Sequence, residues 1–163
     1  MISGSKEVSQ KSTTSLVKLV GIAIAALAAV LFTLLITRPA ATASSFTPLS
    51  GLMTLKTMAA KSMVYDDAIA SPNPTFIEFY ADWCTTCQGM SSTIDALHQQ
   101  YGDTINFVML DIDDPQWAEQ VAHYSASGVP QFTLLDGYHN EVKTWVGKVP
   151  KPILANVFDQ LLG

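Results

Sequence analysis

The 163-residue chain is poor in cysteine, with two, and poor in positive charge, with nine Lys and Arg against fourteen Asp and Glu. Two cysteines exclude the multi-disulfide framework of small secreted scaffolds. They also leave a structural zinc site short, because such a site takes about four ligands and His98, His123 and His139 are not spaced to supply the rest. The acidic balance argues against nucleic-acid binding, which relies on Lys and Arg to neutralise phosphates. There is no phosphate-cradling glycine loop, no internal repeat and no carboxylate pair spaced for hydrolysis.

What the chain does have is one long apolar run. Leu19 to Ile36 contains Thr33 as its one conspicuously polar residue. Eighteen helical residues span about 27 Å, close to a hydrocarbon core of about 30 Å. With Thr37 added, residues 19–37 are expected to be a transmembrane anchor behind a short tail, 1–18, with Lys18 and Arg38 able to reach opposite interfaces. The competing reading is a cleaved signal peptide, since Ala41-Thr42-Ala43 resembles a small-residue cleavage site. The length of the run and the intervening Arg38-Pro39 favour the uncleaved anchor. Lys6, Lys11 and Lys18 precede the run and Arg38 follows it closely. The positive-inside rule then places the N-terminus in the cytoplasm or stroma and the larger C-terminal part in a luminal or periplasmic space.

Charge divides at the same boundary. Residues 1–43 carry four basic side chains and one acidic, whereas residues 44–163 carry five basic and thirteen acidic. Residues 38–61 read as a linker: Pro39 to Ser45 is small and polar, and Leu52, Leu55, Met58 and Ala59 mark a possible short helix between Leu49 and Met63. The remainder, 62–163, is long enough for one core.

Both cysteines lie in Trp83-Cys84-Thr85-Thr86-Cys87. A disulfide across two intervening residues encloses little chain and stabilises little by loop closure, so stapling is a poor explanation for it. Phe76 to Tyr80 reads as a buried strand after the turn Ser71-Pro72-Asn73-Pro74. Met90, Ile94, Leu97 and Tyr101 then recur at helical spacing, which puts Cys84 at a helix N-terminus. Unpaired N–H groups and the helix dipole there favour a thiolate, and such placement brings a cysteine pKa from about 8.5 to about 7 or below. Cys84 is therefore the expected nucleophile. Cys87, one turn further in, is the expected resolving thiol.

In these features the chain resembles the thioredoxin superfamily over residues 62–163. Phe79 to Cys87 resembles the family's active-site segment, and Ser127-Gly128-Val129-Pro130, about forty residues on, its second hallmark loop. The resemblance implies an α/β thioredoxin fold, a central mixed β-sheet flanked by helices, here behind a single transmembrane helix. It implies a cis Val129-Pro130 bond and a substrate-binding role for Val129, Pro130 and the rim residue Trp83. It implies no cofactor beyond the redox-active disulfide Cys84–Cys87, and no metal. Glu78 stands where well-known cytosolic members carry a buried aspartate, which makes it a candidate catalytic general base. Met109 replaces the lysine that usually accompanies that acid. Thr85-Thr86 replaces Gly-Pro between the cysteines, and Ser92 stands where a kink proline is common, with Gly89 a possible source of flexibility instead.

A narrower resemblance is to the membrane-anchored, lumen-facing thioredoxin-like proteins of photosynthetic membranes that serve cytochrome assembly. It rests on Leu110 to Trp117, Gly128 to Phe132, Leu135-Asp136, and Val146-Gly147 followed by Pro150. It implies a thiol:disulfide oxidoreductase that reduces protein disulfides, apocytochromes among them, at a thylakoid membrane. A reductase in an oxidising compartment needs electrons from across the membrane, so a transmembrane dithiol donor is implied as well. The alternatives are a disulfide oxidase or isomerase of the same fold, and a noncatalytic assembly factor.

The remaining elements are coarser. Ser62 to Ala70 reads as a first helix, Ile105 to Leu110 as a strand, and Pro115 as the start of a helix with Trp117, Val121 and Tyr124 inward. Gln131 to Leu135 and Glu141 to Val146 read as a hairpin, and Ile153, Val157 and Leu161 as the inward stripe of a last helix.

Overall fold

A computed structural model describes residues 48–163. The expected anchor at 19–37, the tail 1–18 and the alternative cleavage site after Ala43 lie outside the described residues. Among the described residues no helix is long and apolar enough to cross a membrane.

Four strands make one mixed sheet: β1 (Thr75–Tyr80), β2 (Asn106–Asp111), β3 (Gln131–Leu135) and β4 (Glu141–Val146), in the order β2-β1-β3-β4. β1 runs parallel to β2 and antiparallel to β3, which pairs antiparallel with β4. Every residue of β1 is buried, as its unbroken apolar and aromatic run requires of a strand covered on both faces. Side chains alternate across it. Phe76 points into a core with Phe107, Phe132 and Phe158, while Ile77 and Phe79 join Val108, Leu110 and Leu135 on the other face.

Helices α1 (Pro48–Lys61), α3 (Thr85–Tyr101) and α5 (Lys151–Leu162) cover the first face; α2 (Tyr65–Ala70) and the short α4 (Ala118–His123) cover the second. α3 buries Met90, Ile94, Leu97 and Tyr101, the stripe read from the sequence. It continues unbroken through Gly89 and Ser92.

Several local expectations shift. The possible short helix of the linker segment is present as the 14-residue α1, but it belongs to the globular unit and not to a tether: Leu55 is fully buried and Met58 nearly so. Their burial carries the packed body back beyond residue 62. The next helix starts at Tyr65 rather than Ser62 because the Met63 N–H donates to Phe107 O of β2 at 2.9 Å, and Val64 remains extended. Pro115 does start a helical segment, but its first turn, Pro115–Trp117, is a 3-10 turn capped by the Asp114 carboxylate. Trp117, Val121 and Tyr124 pack inward as partly buried residues. In α5 the fully buried residues are Leu154 and Phe158, whereas Ile153 is half exposed and Val157 and Leu161 flank the core. Phe158 is drawn in by edge contacts with Phe76, Tyr101 and Phe107.

The β3–β4 turn is fixed by Asp136, whose carboxylate accepts from the Tyr138 and Asn140 N–H groups and the Asn140 amide. These bonds hold its carboxyl below the usual range. Gly137 follows where a Cβ would come within 2.5 Å of Pro72 O, so the turn approaches the loop before β1 as only glycine allows.

Candidate active site

β1 ends at Tyr80, and Ala81-Asp82-Trp83 carries the chain to Cys84, the N-cap of α3. Cys84 and Cys87 form a disulfide with Cα atoms 5.2 Å apart. The Cys87 N–H donates to Cys84 Sγ at 3.0 Å. The nucleophile's sulfur thus sits where a Ser or Asp oxygen would cap a helix, and a thiolate there meets an N–H and the positive end of a 17-residue helix. Cys84 retains 5% of its surface and Cys87 none.

The residues leading into Cys84 are tied at several points. The Cys84 N–H donates to Ala81 O at 3.1 Å, and Gln88 Nε2 donates to Asp82 O at 2.7 Å. Lys56 Nζ of α1 pairs with the Asp82 carboxylate. Trp83, 64% exposed, donates from Nε1 to Asp113 Oδ2 at 2.7 Å. Leu55, Tyr80 and Ala81 are buried with the two cysteines in one cluster, against which Ala59, Met109, Ile112 and Val129 pack.

Val129 packs against this cluster from the loop before β3, with Pro130 next to it in the chain. Their peptide bond is cis. Pro130 is buried and Val129 half-buried, and Pro130 O accepts from the Gly147 N–H at 2.8 Å, which fastens the loop to the end of β4. Cys84, Cys87, Trp83, Val129 and Pro130, all singled out in the sequence, therefore gather at one end of the sheet.

Glu78 lies two residues before Tyr80 and on the same face of β1, opposite Met109 in β2 and Phe132 in β3. It is 1% exposed, and neither carboxylate oxygen has a hydrogen-bond partner. Burial pushes its pKa up from 4.5 to about 8, so it holds a proton at neutral pH. Tyr80 is likewise pushed up to about 12, by burial first and then by the carboxylates of Asp111, Asp82, Glu78 and Asp114.

Sequence reasoning missed Lys56, Leu55, Gln88 and Asp113. Gln88 stands one residue past the second cysteine and Asp113 in an Asp-rich stretch, but nothing local marks either as a partner of the active-site segment. Lys56 and Leu55 come from a helix read as linker.

The thioredoxin family profile matches residues 56–160. The chain is 41% identical over 113 residues to the thiol:disulfide interchange protein TxlA of Synechococcus elongatus, covering 69% of this chain and 59% of that protein. It is 39% identical over 101 residues to the chloroplastic thioredoxin-like protein HCF164 of rice, covering 62% of this chain and 38% of that one. The chain thus spans between about two-fifths and three-fifths of the length of these relatives. Among solved structures, the germline-specific thioredoxin Deadhead of Drosophila melanogaster superposes with a TM-score of 0.50 at 25% identity, covering 56% of this chain and 84% of that one.

Proposed function

The chain belongs to the thioredoxin family, and on that footing we propose that it is a membrane-tethered thiol:disulfide oxidoreductase that reduces disulfides in other proteins. The observation that carries this reading is the Cys84–Cys87 disulfide at the start of α3, with Cys84 Sγ accepting the Cys87 N–H. A sulfur so placed is stabilised as a thiolate and is a good attacking and leaving group.

In the reduced protein the Cys84 thiolate attacks one sulfur of the target disulfide. The other target sulfur leaves as a thiolate and takes a proton. Cys87 loses its proton and attacks Cys84 Sγ, which releases the first target sulfur and closes Cys84–Cys87. Two electrons pass to the target, whose two sulfurs take up the one proton Cys87 releases and one from solvent, and the protein leaves oxidised.

Cys87 is fully buried, so its proton needs an acceptor nearby. Glu78 is the candidate: its two unpartnered oxygens lie on the face of β1 that carries the disulfide cluster, and with a pKa near 8 the ionised fraction, about a tenth at pH 7, can take the proton. Trp83, Val129 and Pro130 form the candidate substrate contact, with an extended target segment lying along the Val129 backbone.

Residues 19–37 serve as the anchor, with the described domain on the luminal or periplasmic side of a thylakoid-type membrane. The likeness to a chloroplastic protein and to a cyanobacterial interchange protein supports that setting. Apocytochromes fit as targets, because their basic segments would meet an acidic domain, and a transmembrane dithiol carrier fits as electron donor.

Expressing Cys87→Ser tests the whole reading. The variant traps protein partners as mixed disulfides on Cys84, which reducing agent releases. Failure to trap any partner, with the Cys84→Ser, Cys87→Ser double variant sustaining cellular function, would leave the fold as a binding platform only.

A further inference from the structure

Lys56 and Asp82 form the one salt bridge among the described residues. It joins α1 to the residue two positions before the nucleophile. Their side chains are 54% and 42% exposed, so as a staple the pair does little. Its placement carries more weight than its strength.

The disulfide's other ionisable neighbours are mostly anionic. Asp82 comes from the approach to α3, Asp111 from β2, and Asp113 and Asp114 from the loop after it, while Glu78 of β1 keeps its proton at neutral pH. Asp111, Asp82 and Asp114 all act on the Tyr80 hydroxyl, and Tyr80 is buried in one cluster with both cysteines. Asp113 is bonded to Trp83, next to Cys84. The first turn of α3 and the loop 126–130 bring no ionisable side chain other than Cys87. A thiolate at Cys84 therefore forms among like charges, which disfavour it. Lys56 is the cation bonded into this set.

We propose that Lys56 is a positioning residue for the exchange chemistry: by holding the Asp82 carboxylate on its ammonium group, it keeps that charge from opposing ionisation of Cys84. This rests on the reading of Cys84 as nucleophile. Helix α1 then does two things at the site, filling the space beside the disulfide with Leu55 and offsetting an acid two residues before the nucleophile with Lys56.

The two partners give the test its sign. In the reduced full-length protein, alkylation by iodoacetamide is followed as a function of pH, with the labelled cysteine mapped by peptide mass. Lys56→Met is expected to move the Cys84 midpoint up by about half a pH unit, so that alkylation below it slows about threefold. Asp82→Asn is expected to move it down by a similar amount, and the double variant to fall near wild type. Reduction potentials against glutathione follow, more negative in Lys56→Met and less negative in Asp82→Asn, since a stabilised thiolate makes a disulfide more oxidising.

Both single substitutions break the same ion pair. A pair that merely fastens the helix would therefore move both variants the same way or neither, and either result overturns the role of Lys56 alone. Labelling of wild type first at Cys87 would overturn the nucleophile assignment and this proposal with it.

Discussion

Trp83 Nε1 donates to Asp113 Oδ2 at 2.7 Å, so the residue beside the nucleophile is held by the loop that follows the neighbouring strand β2. An indole that is 64% exposed yet fixed in orientation is a preorganised contact surface. Asp113→Ala should leave unfolding free energy within about 1 kcal/mol of wild type, because the bond is exposed. For a protein disulfide substrate, KM should rise severalfold while kcat holds. Asp113→Asn, which keeps an acceptor oxygen, should recover most of the loss. Steady-state kinetics decide it: a fall in kcat at constant KM would remove Trp83 from substrate contact.

Glu78 makes stability depend on pH with a sign opposite to that of an ordinary paired carboxylate. Below pH 4.5 it is protonated both folded and unfolded and contributes no slope. Between 4.5 and about 8 the unfolded chain releases the proton and the folded one keeps it, so stability falls as pH rises through that window. Glu78→Gln should flatten this slope and gain on the order of a few kcal/mol over wild type near pH 8. Urea denaturation at a series of pH values measures it. If Glu78 also serves Cys87, the same variant should slow release of a preformed mixed disulfide while leaving the first attack by Cys84 unchanged.

Leu55 is fully buried in the cluster that holds the disulfide, so α1 is part of the folding unit. Leu55→Ala should cost about 2–5 kcal/mol, the range for a large buried side chain cut to a methyl group. Leu49→Ala, at a 68% exposed position on the same helix, should change stability by less than about 0.5 kcal/mol. Denaturant midpoints compare the two, and equal effects would mean that α1 does not pack as described.

Gly137→Ala should destabilise by about 1–3 kcal/mol, since its Cβ meets the backbone oxygen of Pro72 rather than a yielding side chain. The turn lies away from the disulfide, so activity per folded molecule should be unchanged. A thermal melt alongside an exchange assay separates these outcomes.

The hairpin strands Gln131–Leu135 and Glu141–Val146 have the bounds their sequence pattern marks, because dense apolar content ends at a turn whose Asp and Gly chemistry is local. The inward face of α3 was equally legible from four residues at helical spacing. α5 was not, because Ile153 and Leu154 are both apolar and only the aromatic contacts of Phe158 select the buried stripe. At the site, the cysteines, Trp83, Val129 and Pro130 were readable because they lie in two short motifs. Lys56, Leu55 and Asp113 were not, since each meets the active-site segment across a gap in sequence that local patterning does not register.

The unequal exposure of the two sulfurs also limits the kinetics of the proposed exchange. With Cys87 sealed and Cys84 open by a sliver, every partner must enter through the same atom. Electron donor and electron acceptor then take turns at a single port, and neither can be held while the other reacts. Turnover should be ping-pong, with parallel double-reciprocal plots, and excess oxidised target should inhibit competitively against the reduced donor's mimic.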